Sequence, residues 1–396
     1  MMSSAPEPAA ARRGPPLYLD YQATTPMDEV VLAAMLPYFG ARFGNPHSST
    51  HRYGWEAMAG VDVARGHVAG LIGASPEEII FLSGATEANN LALKGALMAA
   101  PPARRRLVTL VTEHACVRET AAWLGHQGYD VVVLPVDSDG LIRLDELDTV
   151  LDDQVALVSV MAVNNEIGVA QPLAEIGRRC RAAGALFHTD AAQAFGKVPL
   201  DVEAMGIDLM SLSAHKIYGP KGVGALYVRA RTPLAPQMHG GGQERGLRSG
   251  TLAPALCVGF GEAARLAAAR LGPDLDRLWG LFNQARTMLE ASGIAWRLNG
   301  SAAARFPGNL NVSFPGVDGA RLLADLRGLA LSSGAACASA VGKPSYVLDA
   351  LGLDKSTAQA TLRIGLGRPT TADDVATAMT VIVQAVREQT EVAWRR

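Results

Sequence analysis

The chain has 396 residues, 49% of them hydrophobic, and a formal net charge of −2. That is enough chain for two domains around a large core, and the balanced charge argues against a nucleic-acid surface. No apolar run reaches the ~18 residues that would cross a membrane, and the four cysteines (Cys116, Cys180, Cys257 and Cys337) are far apart with no CxxC pair, so neither a disulfide framework nor a structural zinc site is expected.

Residues 1–16, MMSSAPEPAAARRGPP, are rich in Pro and Ala, lack a hydrophobic signal core and read as a flexible tail. From about Gly54 onward, helical and strand patterns alternate. Trp55 to Leu71 is predicted as a helix, Ile79 to Leu82 as a strand, and SGATEANN (Ser83 to Asn90) opens a helix through Leu97. A strand at Leu107 to Val111 follows the basic run Arg104 to Arg106, then a helix near Val117 to His126 that Gly128 ends. Val131 to Leu134, the apolar Ala156 to Val163, Ala185 to His188, Leu209 to Leu212 and Gly224 to Val228 are further strands, with a helix at Leu173 to Ala183. This alternation predicts an α/β fold with a mostly parallel sheet covered by helices on both faces.

After Thr251 the pattern changes. Two long helices, Ala255 to Leu271 and Leu275 to Ala291, are predicted with a break at Gly272-Pro273. A strand at Leu310 to Phe314, a helix at Ala320 to Leu326, a strand at Thr361 to Gly365 and a helix at Ala372 to Val386 suggest a smaller α+β domain. The expected division is a tail at 1–16, a large domain at 17–265 whose first residues join the small domain, and a small domain at 266–396.

Ligands of open α/β sheets bind beyond the carboxyl ends of the strands, and several such ends carry reactive groups. SAHKIYGPKG places Lys216 in a glycine-rich loop just after an apolar segment, where a lysine that loses its proton can form a Schiff base with an aldehyde. The backbone N–H groups of SGATEANN and the Thr86 hydroxyl suit a phosphate at a helix start. Asp190, in FHTDAAQAFGK, follows an apolar strand, where a carboxylate needs a partner such as a protonated pyridine nitrogen; Gln193 suits that ring's phenolic oxygen. His114, in VTEHACVRE, can stack on an aromatic ring or move protons. On the residues alone, each group also fits a structural role: an N-cap at SGATEANN, a capping Asp190, a structural His114 and a solvated Lys216. Cys337 lies among small residues in LSSGAACASAVGKPSYV. Such a segment suits a nucleophile that collects a group at one place and delivers it at another, although a free cysteine is also commonly buried and inert. Cys116, Cys180 and Cys257 fall in helical or apolar contexts and read as structural.

Taken together, the motifs YLDYQATTP, FGNPHSS, SGATEANN, TEHACV, NNEIGVAQP, HTDAAQAFGK, SAHKIYGPKG, GGGQERGLRSGT, SSGAACAS and TLRIGLGR, in this order, resemble the cysteine desulfurases of the NifS/IscS type, in the fold type I, class V aminotransferase group. The resemblance spans nearly the whole chain. It implies a pyridoxal 5′-phosphate enzyme with a seven-stranded sheet in its large domain. Lys216 would anchor the cofactor, Asp190 and Gln193 would meet its ring, and His114 would stack on the ring as acid/base. Ala85, Thr86, Ser213 and His215 would hold the phosphate, and Thr251 would reach the phosphate of a neighbouring subunit. Asn165 would touch cofactor or substrate, and Arg363 would grip the substrate carboxylate. Cys337 would take the sulfur of L-cysteine as a persulfide, leaving alanine. No resident metal is implied beyond a transient iron–sulfur contact at Cys337. The implied setting is a cytoplasmic homodimer that hands sulfur to an iron–sulfur scaffold or sulfur carrier, with no direct nucleic-acid or membrane partner; the alternative is a selenocysteine lyase or another class V enzyme. Ala214 stands where many relatives have Gly, and the chain stops soon after its last predicted helix, at Arg396, where iron–sulfur housekeeping members often carry a longer tail, which leaves a more specialised sulfur donor open.

Overall fold

The computed structural model describes residues 15–333 and 345–394. The chain opens with a short strand, β1 (Leu17–Tyr18), and two helices, α1 (Glu29–Met35) and α2 (Arg52–Gly70). The alternating region then runs β2 (Ile79–Leu82), α3 (Ala85–Ala99), β3 (Arg106–Leu110), α4 (Ala115–His126), β4 (Asp130–Leu134), α5 (Leu144–Val150), β5 (Val155–Ser159), α6 (Leu173–Ala183), β6 (Leu186–Asp190), β7 (Leu209–Ser213) and β8 (Gly224–Val228). These strands form one seven-stranded sheet in the order β2-β8-β7-β6-β5-β3-β4. All neighbours are parallel except β8, which runs against both β2 and β7.

The mostly parallel α/β sheet read from the sequence is therefore present. Strands β2, β5, β7 and β8 are buried at every residue, as expected for a sheet covered on both faces. Burial pattern alone overextended one strand: β5 stops at Ser159, whereas the apolar run continues to Val163. There the chain leaves the sheet, and the Asn164 side chain turns it by accepting from the Glu166 and Ile167 N–H groups at 2.8 and 3.0 Å.

The helix α7 (Pro254–Ser292) corrects a second expectation. It is one helix of 39 residues, about 58 Å long, with Pro273 inside it rather than at a break. Proline removes a donor and crowds the preceding turn, at a cost of ~3 kcal/mol in a helix interior. That cost is offset because both halves bury apolar residues: Phe260, Ala263, Ala264 and Ala267 before Pro273, and Leu278, Leu281, Phe282 and Ala285 after it. Pro273→Ala is accordingly expected to stabilise the protein by about 1–2 kcal/mol, less than the full helix penalty because alanine also frees the unfolded chain. A denaturant midpoint that rises with unchanged slope would bear this out.

Beyond α7 come β9 (Arg297–Leu298), β10 (Asn309–Ser313), α8 (Gly319–Asp325), β11 (Leu329–Ala330), β12 (Ser332–Ser333), α9 (Tyr346–Ala350), α10 (Lys355–Gln359), β13 (Thr361–Gly365) and α11 (Ala372–Trp394). The antiparallel sheet β12-β13-β10-β9 carries Arg363 opposite Asn311 and Ser332. Strand β1 pairs in parallel with β11 in a separate two-stranded sheet, which ties the start of the described chain to the region after α7. Among the described residues no helix is long and apolar enough to cross a membrane.

Candidate active site

The carboxyl ends of β2, β3, β6 and β7, with the turn after β5, surround a cavity of about 780 Å³. Its wall includes Ala85, Thr86, His114, Asn165, Asp190, Gln193, Ser213, His215, Lys216 and Arg363. Residues up to 343 positions apart in sequence thus meet in one place (Asp20 to Arg363). The sheet accounts for this: parallel strands end on the same side, and the loop after each delivers its polar groups there.

At β2, Ser83 and Gly84 lead into α3. Gly84 has φ 156°, a conformation that disfavours side chains. A Cβ on Gly224 of β8 would lie 2.7 Å from the Gly84 Cα, so two glycines let the start of α3 close on the sheet. The unpaired N–H groups of that first turn point a positive helix end at the cavity beside Ala85 and Thr86.

At β3, the turn Thr112–His114 is fixed to the end of β5. The Met161 N–H donates to Glu113 Oε1 at 2.6 Å, and Asn164 Nδ2 donates to the Thr112 carbonyl at 2.9 Å. His114 caps α4: its Nδ1 accepts the Cys116 N–H at 3.2 Å. In the neutral ring the proton therefore sits on Nε2. Cys116 Sγ is 3.0 Å from the same nitrogen and accepts from Asn89 Nδ2 at 3.1 Å. Burial pushes the Cys116 thiol up to about 12, so it stays protonated at neutral pH.

At β6, Asp190 is 4% exposed. Its oxygens accept from Asn89 Nδ2 at 2.7 Å and from the Ala192 N–H at 2.9 Å, and it forms no ion pair among the described residues. Gln193 donates through Nε2 to the Gln22 carbonyl at 2.8 Å. At β7, the 3₁₀ turn Ala214–Lys216 presents Lys216, whose Nζ donates to the Gln22 and Ala23 carbonyls at 2.5 and 2.7 Å. His215 Nδ1 lies 3.0 Å from Thr24 Oγ1. Burial, reinforced by Lys216, Lys221 and Lys197, pushes its pKa down to about 4, so it serves as a neutral hydrogen-bonding group.

The second sheet contributes Arg363. Its guanidinium donates to Asp20 Oδ1 at 2.8 Å, Ser332 Oγ at 3.1 Å and the Asn165 carbonyl at 3.1 Å. Its Nε and the Asn165 Oδ1 are buried and find no hydrogen-bond partner among the described residues. Both residues belong to the cavity wall.

Residues 17–377 match the family model described as aminotransferase class V. A cysteine desulfurase IscS of Rickettsia akari is 49% identical over 373 residues, covering 94% of this chain and 91% of the relative. A mitochondrial cysteine desulfurase of Drosophila melanogaster is 54% identical over 366 residues, covering 91% of this chain and 79% of the relative. The chain belongs to the cysteine desulfurase family of class V aminotransferases. A solved structure described as SspA in complex with cysteine superposes with a TM-score of 0.79 at 37% identity, covering 88% of this chain and 98% of its own. The seven-stranded sheet with its smaller antiparallel sheet is the fold type I architecture of that group.

Against this desulfurase frame, two sequence expectations stand apart from the cavity. Thr251 is exposed and does not line the cavity; it lines an adjoining cleft that shares Ser83, Gly222 and Val223 with it. Cys337 lies outside the described residues. Cys180 and Cys257 are buried in α6 and α7, as read from sequence, but Cys116 is not a remote structural thiol: it lines the cavity beside His114. Sequence reasoning also missed Asp20, Asn89 and Gln22. Asp20 sits in the motif YLDYQATTP without any local sign of its partner, 343 residues away. Asn89, one helical turn beyond Ala85, was visible as a polar residue on an otherwise apolar helix face.

Proposed function

We propose that this desulfurase moves the sulfur of L-cysteine to Cys337, leaving L-alanine, with pyridoxal 5′-phosphate as its cofactor. The observation that carries the reading is Asp190: a buried carboxylate at the cavity wall whose hydrogen bonds come from neutral N–H groups. Burying an anion without a cation is costly, and a protonated pyridine nitrogen supplies the missing charge. The cavity volume and the helix start at Ala85 suit the rest of the group. When bound, pyridoxal phosphate supplies an electron sink for bonds broken at the substrate Cα.

The chain's own residues do the remainder. Lys216 would provide the amine that anchors the cofactor and a base for the substrate Cα proton. Ala85, Thr86, Ser213 and His215 would hold the phosphate, and Gln193 the phenolic oxygen. His114 would lie on the ring and, with its Nε2 hydrogen, serve as acid/base. Arg363 and Asn165 would take the substrate carboxylate, which must compete with Asp20 for the guanidinium. The Cys337 thiolate attacks the substrate sulfur; a sulfur–sulfur bond forms as the carbon–sulfur bond breaks. The electron pair of that bond remains with the substrate carbon skeleton, which gains a proton and leaves as alanine.

Further parts of the reading concern the assembly. The division at residue 265 would fall inside α7, between a cofactor domain (17–265) and a smaller domain (266–396) that carries Arg363 and Cys337. Exposed Leu36, Phe39, Phe43, Tyr53 and Trp55 support a homodimer by offering apolar surface beside α1 and α2. In that dimer Thr251 would reach the neighbouring subunit's phosphate. The sulfur would pass to an iron–sulfur scaffold or sulfur-carrier protein in the cytoplasm.

The test is to load the protein with pyridoxal phosphate, supply L-cysteine and a reducing thiol, and measure alanine and sulfide. Equal amounts of both support the reading; pyruvate in place of alanine would overturn it. Arg363→Lys keeps a charge for Asp20 but loses the planar fork. It is expected to raise KM for cysteine about 10- to 100-fold, the worth of ~1.5–3 kcal/mol for a hydrogen bond to a charged group, with a smaller change in kcat.

A further inference from the structure

A lysine outside the cavity wall is hydrogen-bonded to a side chain that lines it. Lys197 follows Gln193 by four residues and lines a second, smaller cavity of about 40 Å³, shared with Gln22, Tyr218, Phe306 and Arg277. It is absent from the wall of the large cavity, which Gln193 lines. Lys197 Nζ donates to Gln193 Oε1 at 3.1 Å and stands 5.5 Å from the centre of the Phe306 ring, a cation–π contact that holds the ammonium in place.

A glutamine amide has two chemically different ends, and its rotation by half a turn exchanges them. Here the two neighbours decide between them. Burial, with Lys216 and Arg363 nearby, pushes the Lys197 pKa down to about 7; the charged form has no lone pair, so it must face Oε1, to which its Nζ donates. The Gln22 peptide carbonyl has no proton, so it must face Nε2. One Nε2 hydrogen remains for the large cavity. If the amide turned over, Lys197 would face an N–H group and Gln22 a second carbonyl oxygen, two repulsive contacts in a buried place. The same Gln22 carbonyl also receives Lys216, so the amide setting and the position of the anchoring amine share one acceptor.

We propose that Lys197 is a positioning residue that locks the Gln193 carboxamide with an N–H group, rather than an oxygen, toward the cofactor. The inference rests on the pyridoxal phosphate reading above. Its consequence is a fixed donor for the cofactor's phenolic oxygen, which favours the deprotonated oxygen and so lowers the pH at which the cofactor's absorption band changes.

The test uses the full chain loaded with pyridoxal phosphate and follows that band by absorbance against pH in four proteins: unaltered, Lys197→Met, Gln193→Ala and the double variant. Methionine keeps the buried stem without the donor. Lys197→Met is expected to move the midpoint upward by about 0.5 pH unit, roughly threefold in proton affinity, in the same direction as Gln193→Ala. In the Gln193→Ala background the lysine replacement is expected to add no shift, because its route to the cofactor is gone. An equal shift in both backgrounds would mean that Lys197 acts by its charge alone and would overturn the proposal, as would no shift in either. Lys197→Leu provides a second donor-free replacement if methionine impairs folding. A missing band in the unaltered protein would instead overturn the cofactor reading itself.

Discussion

Lys216→Ala is expected to abolish covalent attachment of the cofactor and to lower alanine formation from cysteine by at least about a thousandfold. The reason lies in how the amine is delivered. Strand β7 is buried at all five residues, and the chain leaves it through a single 3₁₀ turn, so Lys216 is carried on a rigid support. Its Nζ is held by the Gln22 and Ala23 carbonyls, within the cavity that also holds Asp190 and His114. Alanine removes a flexible, half-buried side chain and leaves the turn intact, so folding is expected to survive and the loss to be chemical. Absorbance after removal of unbound cofactor measures the attachment; a colour retained after that step would point to another amine, with Lys221, on the same wall, the first to replace.

Cys337→Ser is expected to separate cofactor chemistry from sulfur collection. The serine hydroxyl is nearly the same size, but it is not an effective nucleophile toward a sulfur atom at neutral pH, whereas a thiolate is. The variant should keep the cofactor band and its response to cysteine, since none of Lys216, Asp190, His114 or Arg363 is altered. Sulfide release under a reducing thiol should fall below about one hundredth of the unaltered rate. The other cysteines offer no ready substitute: burial pushes Cys180 and Cys257 to about 12 and places them in α6 and α7, away from the cavity wall. Cys116 is on the wall, but burial and Asp190 hold its thiol protonated.

Much of this site was legible in the sequence because each group sits in a local pattern: a reactive residue just after an apolar strand. Asp190 at the end of β6, Lys216 after β7 and His114 after β3 could be found from strand, turn and residue chemistry, and family resemblance then gave each a role. The residues that escaped act across long separations. Asp20 and Arg363 pair between the start of the chain and β13, and nothing near either predicts the other. Asn89 bridges Asp190 and Cys116 from a helix whose apolar pattern reads simply as core. The helix α7 shows the converse: Gly272-Pro273 carries a strong local signal for a break, and packing on both sides of it outweighs that signal.

The most direct measurement of the central claim is the location of sulfur after a single turnover without reductant. The cofactor-loaded protein is mixed with one equivalent of L-cysteine, and mass analysis of its peptides is compared with the alanine formed. The account predicts one added sulfur atom per alanine, on the peptide bearing Cys337, and none on the same peptide of the Cys337→Ser protein. Alanine formed by the Cys337→Ser protein with free sulfide at the unaltered rate would contradict it.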